Sequence, residues 1–421
     1  MDAESATTTT SARATTGTSG PPPTDDEVRD VLRSVIDPEL GADIVSLGMV
    51  PSIDVADDGL VTVEVKLTIA GCPMRAEIKQ EVEDRVERHP GVADVKIVWG
   101  EMTPEERTEV MTKARWNARE NATATNVPAS TKVLAISSGK GGVGKSSVTV
   151  NLAAAIAAQG RRVGVLDADI WGFSVPRLLG IDERMEAERV EGHDKPLIIP
   201  NERVVPGVAG GPDGVLEVVS TGFLVGEDTA LMWRGLMLTK AVEQFLNDVH
   251  WGDLDYLLID MPPGTGDVQM GLARMLPATD LLVVTTPALA AQKVAQRAAD
   301  MARRSFLKVI GVIENMSAFT DSAGVEHALF GAGGGAALAD AIDAPLLGQI
   351  PIEPAVSAGG DAGEPVALEG SGVAAGAFRS IARTIVDELV PPVARDAEGD
   401  AIDMSGCSAR LLDAVNAAFD A

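Results

Sequence analysis

Hydrophobic and polar positions follow two different rhythms along the chain. Residues 61–67, Val-Thr-Val-Glu-Val-Lys-Leu, put an apolar side chain at every second position, the period of a strand with one buried face. Residues 27–36 and 76–88 carry apolar positions at helical spacing, and residues 92–98 read as another strand. Residues 25–100 thus spell a small α-β-β-α-β domain. From residue 132 the rhythm changes to short, wholly apolar runs at 133–136, 162–166, 216–219, 256–259, 280–285, 308–313 and 346–349. These read as buried strands, with helical segments between several of them at 147–158, 240–249 and 289–304. Such alternation predicts an α/β fold for residues 132–390, a mostly parallel sheet with helices on both faces and right-handed crossovers, preceded by the small α+β domain. Ligands of such sheets sit beyond the carboxyl ends of the strands.

The remaining stretches punctuate these two blocks. Residues 1–24 are rich in Thr, Ser, Ala and Gly, end in three prolines and read as a disordered tail. Residues 101–119 are charged and helical in pattern, and 121–131 are polar, so 101–131 reads as a linker. Residues 391–421 form an acidic tail with a short helix at 408–419.

The candidate chemistry falls at strand ends. Between the strand 133–136 and the next helix lies Gly139-Lys-Gly-Gly-Val-Gly-Lys145-Ser146, which satisfies the phosphate-loop pattern G-x-x-x-x-G-K-[ST]. Glycines let the backbone wrap close to a phosphate, with its N–H groups and the helix start facing the anion. The expected nucleotide contacts are Gly139, Lys140, Gly141, Gly142, Val143, Gly144, Lys145, Ser146 and Ser147. Lys145 supplies charge at the β- and γ-phosphates and the Ser146 hydroxyl becomes a magnesium ligand. Leu257-Leu-Ile-Asp260 is an apolar strand ending in a carboxylate suited to hold magnesium through its water shell. Asp167 and Asp169 end another strand. They could simply cap the turn 170–174, or serve the in-line attack of water on phosphate. Asn315 follows the strand 308–313; its amide can donate to and accept from an adenine edge at once, and it is equally a common turn residue.

These motifs carry a resemblance. The second lysine, Lys140, makes the loop similar to the deviant phosphate loop of the MinD/ParA/nitrogenase-iron-protein branch, whose extra lysine reaches across a dimer to the partner's nucleotide. Further segments occur in the order of the Mrp/ApbC family of ATP-hydrolysing iron–sulfur cluster carriers: Asp167-Ala-Asp-Ile-Trp-Gly172, Asp260-Met-Pro-Pro-Gly-Thr-Gly-Asp267, Glu314-Asn-Met-Ser317, Phe330-Gly-Ala-Gly-Gly-Gly335 and Ile350-Pro-Ile-Glu-Pro354. The resemblance implies a homodimeric, magnesium-dependent ATPase. Lys140, Lys145 and Asp169 would be catalytic, with Asp169 positioning water. Asp167, Ser146 and Asp260 would lie around magnesium, Asn315 would read adenine, and Pro351 and Glu353 would close over the base.

Asp37-Pro-Glu39, Ser46-Leu-Gly-Met49 and Thr68-Ile-Ala-Gly-Cys-Pro73 resemble the small domain of iron–sulfur assembly factors, in which the cysteine matters. The implied cofactors are ATP, Mg2+ and a transient iron–sulfur cluster, and the implied partners are a second copy and apo iron–sulfur proteins. The chain departs from the family at 318–327, where its usual C-x-x-C pair is replaced by a stretch with no cysteine. Clusters are usually held by thiolates. Cys72 and Cys407 are the only thiols in the sequence. Cys72 reads either as a possible transient cluster ligand or as a small core residue, and Cys407 as a tail thiol. His327 is a further potential donor.

Composition narrows the alternatives. A net charge of −27 disfavours nucleic acid and anionic membrane as partners. It resembles the surface of a protein adapted to high salt. No apolar run approaches the roughly 18 residues of a membrane span, and the two cysteines form no disulfide framework, so a cytoplasmic location is expected. Two other functions share the motifs. A ParA/MinD-type positioning ATPase would need a basic face or a membrane helix, whereas residues 408–421 have one Arg and two Asp. A nucleotide-dependent module could also recruit clients through residues 25–100 without holding a cluster.

Overall fold

The computed structural model describes residues 20–37, 40–68, 74–120, 124–170, 172–223, 235–264, 267–305 and 307–393. The chain divides into two compact units, Met1–Asn121 and Ala122–Ala421.

In the first unit, α1 (Asp25–Leu32) opens on a capping box, in which the Thr24 hydroxyl accepts the Glu27 N–H and the Glu27 carboxylate accepts that of Thr24. The helix stops at Leu32, short of the expected residue 36. The Ser34 hydroxyl donates to the Val31 carbonyl in the closing turn, and Ile36 is left half exposed. Strands β1 (Ile53–Val55) and β2 (Leu60–Leu67) pair antiparallel, and β3 (Asp94–Glu101) lies parallel to β2 after the crossover helix α2 (Arg75–Val86). The period-2 pattern buries Val61, Val63, Val65 and Leu67 on one face of β2.

The stretch 101–131 differs from the expected linker. Helix α3 (Pro104–Glu120) is built into the first unit by buried Val110 and Ala114 and by a 2.6 Å ion pair between Lys66 and Glu106. Asn126 and Val127 instead belong to the second unit. The Asn126 amide nitrogens donate to the Leu246 and Asn247 carbonyls, and Val127 is buried in the second core.

The second unit runs β4 (Lys132–Ser138), α4 (Lys145–Ala157), β5 (Arg162–Asp167), α5 (Val175–Leu178), β6 (Glu186–Glu188), β7 (Leu197–Ile199), β8 (Asn201–Val205), β9 (Gly214–Ser220) and α6 (Gly235–Asp248). It continues with β10 (Tyr256–Asp260), α7 (Asp267–Met275), β11 (Asp280–Thr285), α8 (Leu289–Arg304), β12 (Lys308–Thr320), β13 (Glu326–His327), α9 (Gly334–Ala341), β14 (Leu346–Ile352), α10 (Pro354–Ala362), α11 (Val366–Glu369) and α12 (Val373–Thr384). A nine-stranded sheet follows the order β13-β12-β11-β4-β10-β5-β9-β8, with β14 also against β12. Only β8 and β13 run antiparallel to their neighbours. Alternate residues of β4 serve two cores: Leu134 and Ile136 belong to the one that includes α4 and α12, Val133 and Ala135 to the one that includes α6, α7 and α8. Helices therefore cover both faces, and the strand ends are left to build a site.

Candidate functional site

The register of three parallel strands gathers the charged groups. Asp260, the last residue of β10, pairs with Ile136 of β4 on one side and with Asp167, the last residue of β5, on the other. Asp167 in turn pairs with Ser220 at the end of β9. Side chains at paired positions of neighbouring strands share one level of the sheet, so two carboxylates meet where the chain turns out of β4 into the glycine loop.

That loop, residues 139–144, is fixed by contacts rather than by glycine content alone. Gly139 lies against α8, where a Cβ would come 2.2 Å from the Ala295 nitrogen. Gly144 is the N-cap of α4 in the left-handed region at φ 79°, and a Cβ on it would come 2.3 Å from Asn315 Nδ2. Gly141 touches nothing within 4 Å of where a Cβ would stand.

Lys145, the first residue of α4, is buried, and its Nζ lies 2.8 Å from Asp260 Oδ1 and 3.8 Å from Asp169 Oδ2. Ser146 Oγ donates to Asp260 Oδ2 at 2.6 Å, and Thr149 Oγ1 donates to Asp260 Oδ1 at 2.8 Å. Thr149 is absent from the sequence-derived set. Its spacing of four from Lys145 on the same helix is the signal that could have found it.

Asp167 is fully buried and accepts hydrogen bonds from the Ser174 and Val175 N–H groups at 3.1 and 3.3 Å and from Ser220 Oγ at 3.2 Å. Burial, reinforced by the charge of Asp260, pushes its carboxyl up to about 7. Burial also raises Asp169, against the pull of Lys145. Lys140 is exposed at the tip of the loop.

A cavity of about 330 Å³ opens over these groups, lined by the loop from Lys140 to Ser147 and by Ser138, Asp169, Gly172, Ser174, Arg177, Leu178 and Pro263. The predicted base-side residues stand elsewhere. Asn315 lies within β12, which runs on to Thr320 rather than ending at 313, and its Nδ2 donates to the Val143 carbonyl at 2.9 Å. Its neighbour Met316 takes a φ of 58°, where the register against β14 breaks. Glu353 caps α12, its Oε1 accepting the Ala374 N–H at 3.1 Å, and Pro351 is a half-buried residue of β14.

Asn315 therefore braces the phosphate loop, and Glu353 serves a helix end. Neither belongs to the cavity lining. His327, on β13, pairs with Asp321 at 2.7 Å and stacks on Phe319. Cys72 and Cys407, the latter in the expected acidic tail, lie outside the described residues.

This geometry coincides with a family match. The model of the NUBPL iron-transfer P-loop NTPases covers residues 129–386, more than half of the chain. The chain belongs to this family. A second model, of iron–sulfur cluster assembly proteins, matches residues 25–98. Among relatives, the iron–sulfur cluster carrier protein of Mycobacterium tuberculosis is 46% identical over 81% of this chain and 87% of its own length. That of Deinococcus radiodurans is 39% identical over 86% of this chain and 95% of its own. A solved nucleotide-binding protein from Archaeoglobus fulgidus, in complex with ADP, is 34% identical over 56% of this chain and 87% of that one, at a TM-score of 0.45. Like other NUBPL-type NTPases, this chain has a phosphate-loop fold suited to nucleotide hydrolysis. Among the described residues no helix is long and apolar enough to cross a membrane.

Proposed function

We propose that the protein is a magnesium-dependent ATPase that acts as a homodimer and carries iron–sulfur clusters to apoproteins. The observation that carries the nucleotide half is the clustering of Lys145, Ser146 and Asp260 within hydrogen-bond reach at the end of β10, beneath a left-handed glycine turn. The cargo half rests on two family matches that together span both units. It is further supported by relatives that bear the carrier name over most of their length.

The oxygen donors fit magnesium. Ser146 Oγ touches the Asp260 carboxylate, and Asp167 beside it is a second buried carboxylate, with the Lys145 ammonium acting on both. Hard oxygen ligands of this kind suit Mg2+, which would neutralise charge on the phosphate oxygens when bound. Loop N–H groups and Lys145 hold the phosphates, and Asp169, 3.8 Å from Lys145, orients the attacking water and accepts its proton. The exposed Lys140 is free to reach the nucleotide of a second copy.

Cluster cargo would be taken by Cys72, alone or with thiols of the client, because residues 318–327 offer none. That same absence favours a second reading, a client-recruiting NTPase that holds no cluster. Both halves are open to test. Lys145→Ala should abolish ATP binding measured by calorimetry; wild-type affinity in that variant would refute the site. Anaerobic reconstitution should load iron and sulfide onto wild-type protein and fail on Cys72→Ser. Equal loading of both would remove Cys72 from the pathway, and no loading of either would favour the recruiting module.

A further inference from the structure

Arg177 lines the same cavity as Lys140, Lys145 and Asp169. It stands within α5, is exposed, and its guanidinium is in no ion pair among the described residues. Lys145 is already balanced by Asp260 and Asp169. An anion entering the cavity therefore gains most from the cations that have no partner, and Arg177 is one of them.

The backbone under Arg177 is held at both ends. Before it, the Ser174 and Val175 N–H groups are fixed on Asp167 at 3.1 and 3.3 Å. After it, Arg203 of β8 donates through Nη1 to the carbonyls of Leu179 at 2.5 Å and Gly363 at 2.6 Å, and through Nη2 to Glu364 at 2.9 Å. A Cβ on Gly363 would come 2.4 Å from the Gly180 Cα, so the segment after α5 is packed backbone to backbone against the end of α10. The Arg177 Cα is thereby held in place beside the cavity, and a guanidinium fork matches two phosphate oxygens at once.

The geometry points to Arg177 as a binding residue for the phosphate chain of the nucleotide, supplied in the same subunit as the glycine loop. The inference rests on the nucleotide-site reading, and the two are separable by experiment. Binding of ATP and ADP is measured by calorimetry on wild-type protein, Arg177→Ala, Arg177→Lys and Lys145→Ala, with the ligand-free melting temperature of each. Arg177→Ala should raise the Kd for ATP roughly ten- to hundredfold, the effect of one charge-assisted hydrogen-bonded contact. Its ligand-free melting temperature should equal that of wild type. Arg177→Lys should recover part of the loss, since it keeps the charge and gives up the fork. Wild-type Kd values in Arg177→Ala, with binding lost in Lys145→Ala, would overturn the role of Arg177 and leave the site standing. A melting temperature lowered in Arg177→Ala without ligand would also overturn it, by assigning the side chain to the fold. Wild-type protein that binds neither nucleotide would overturn the site itself.

Discussion

Asp167 and Asp169 stand two residues apart in one segment, yet their surroundings separate their roles. Asp167 is locked by four hydrogen bonds below the cavity, one of them from the Asp169 N–H, whereas Asp169 is partly exposed in the cavity wall. Asp169→Asn keeps the shape and removes the proton acceptor. It should bind ATP as wild type does while single-turnover hydrolysis falls by about a hundredfold or more, the usual share of a positioned general base. Hydrolysis at the wild-type rate would move the role to another group. The glycine loop, Lys145, Ser146 and Asp260 were all legible in the sequence, because local spacing alone defines them. Asn315 and Glu353 were legible as residues, but the partners they hold within the folded chain were not. Asn315 spends its amide on a carbonyl 172 positions earlier, and Glu353 spends its carboxylate on a helix 21 positions later. Neither partner is visible in a local pattern. Arg177 left no local signal, since its meaning comes from the cavity it faces.

Among the elements, the buried parallel strands were the most legible, since a strand covered on both faces reads as a plain apolar run. Strands β6 and β8 went unseen because they are short and charged, Glu-Ala-Glu in one case and Asn-Glu-Arg-Val-Val in the other. The first residue of β10 shows how a central strand is tied to the segment that follows α12. Tyr256, the only tyrosine in the sequence, is buried and donates to the Val390 carbonyl at 2.7 Å. Burial drives its phenol well above the ordinary 10.0. A folded-state value raised above the unfolded one means that the folded protein keeps the proton longer. This contribution is present in full below pH 10.0 and is lost as pH rises beyond it. Phenolate absorbance, which reports this one residue, should therefore appear only together with unfolding as pH is raised. A phenolate signal at pH 10.0 in protein that retains its circular dichroism would contradict the burial. Tyr256→Phe should cost about 1 kcal/mol of stability, the ordinary net worth of such a hydrogen bond.

For the whole molecule, a net charge of −27 spread along the chain sets a self-repulsion that no local contact removes. The exposed ion pairs add little against it. Salt should relieve it: between about 0.1 M and 1 M the screening length falls from roughly 10 Å to 3 Å. The melting temperature should rise across that range, and a flat or falling curve would show that the surface charge is not what limits stability. The division into two units was visible in the change of hydrophobic rhythm, because each unit follows its own period. The boundary was not, because the polar composition of 121–131 conceals an asparagine and a valine that belong to a core-covering segment.

Gly141 has open space around it, and its φ lies outside the left-handed region. Gly139 is demanded by a neighbouring helix and Gly144 by its own backbone, so both would be kept even in a descendant that had abandoned nucleotides. Gly141 has no such patron within the folded chain. A lineage that lost its ligand would be free to let alanine drift in at 141 first, which makes this one position a record of use rather than of architecture.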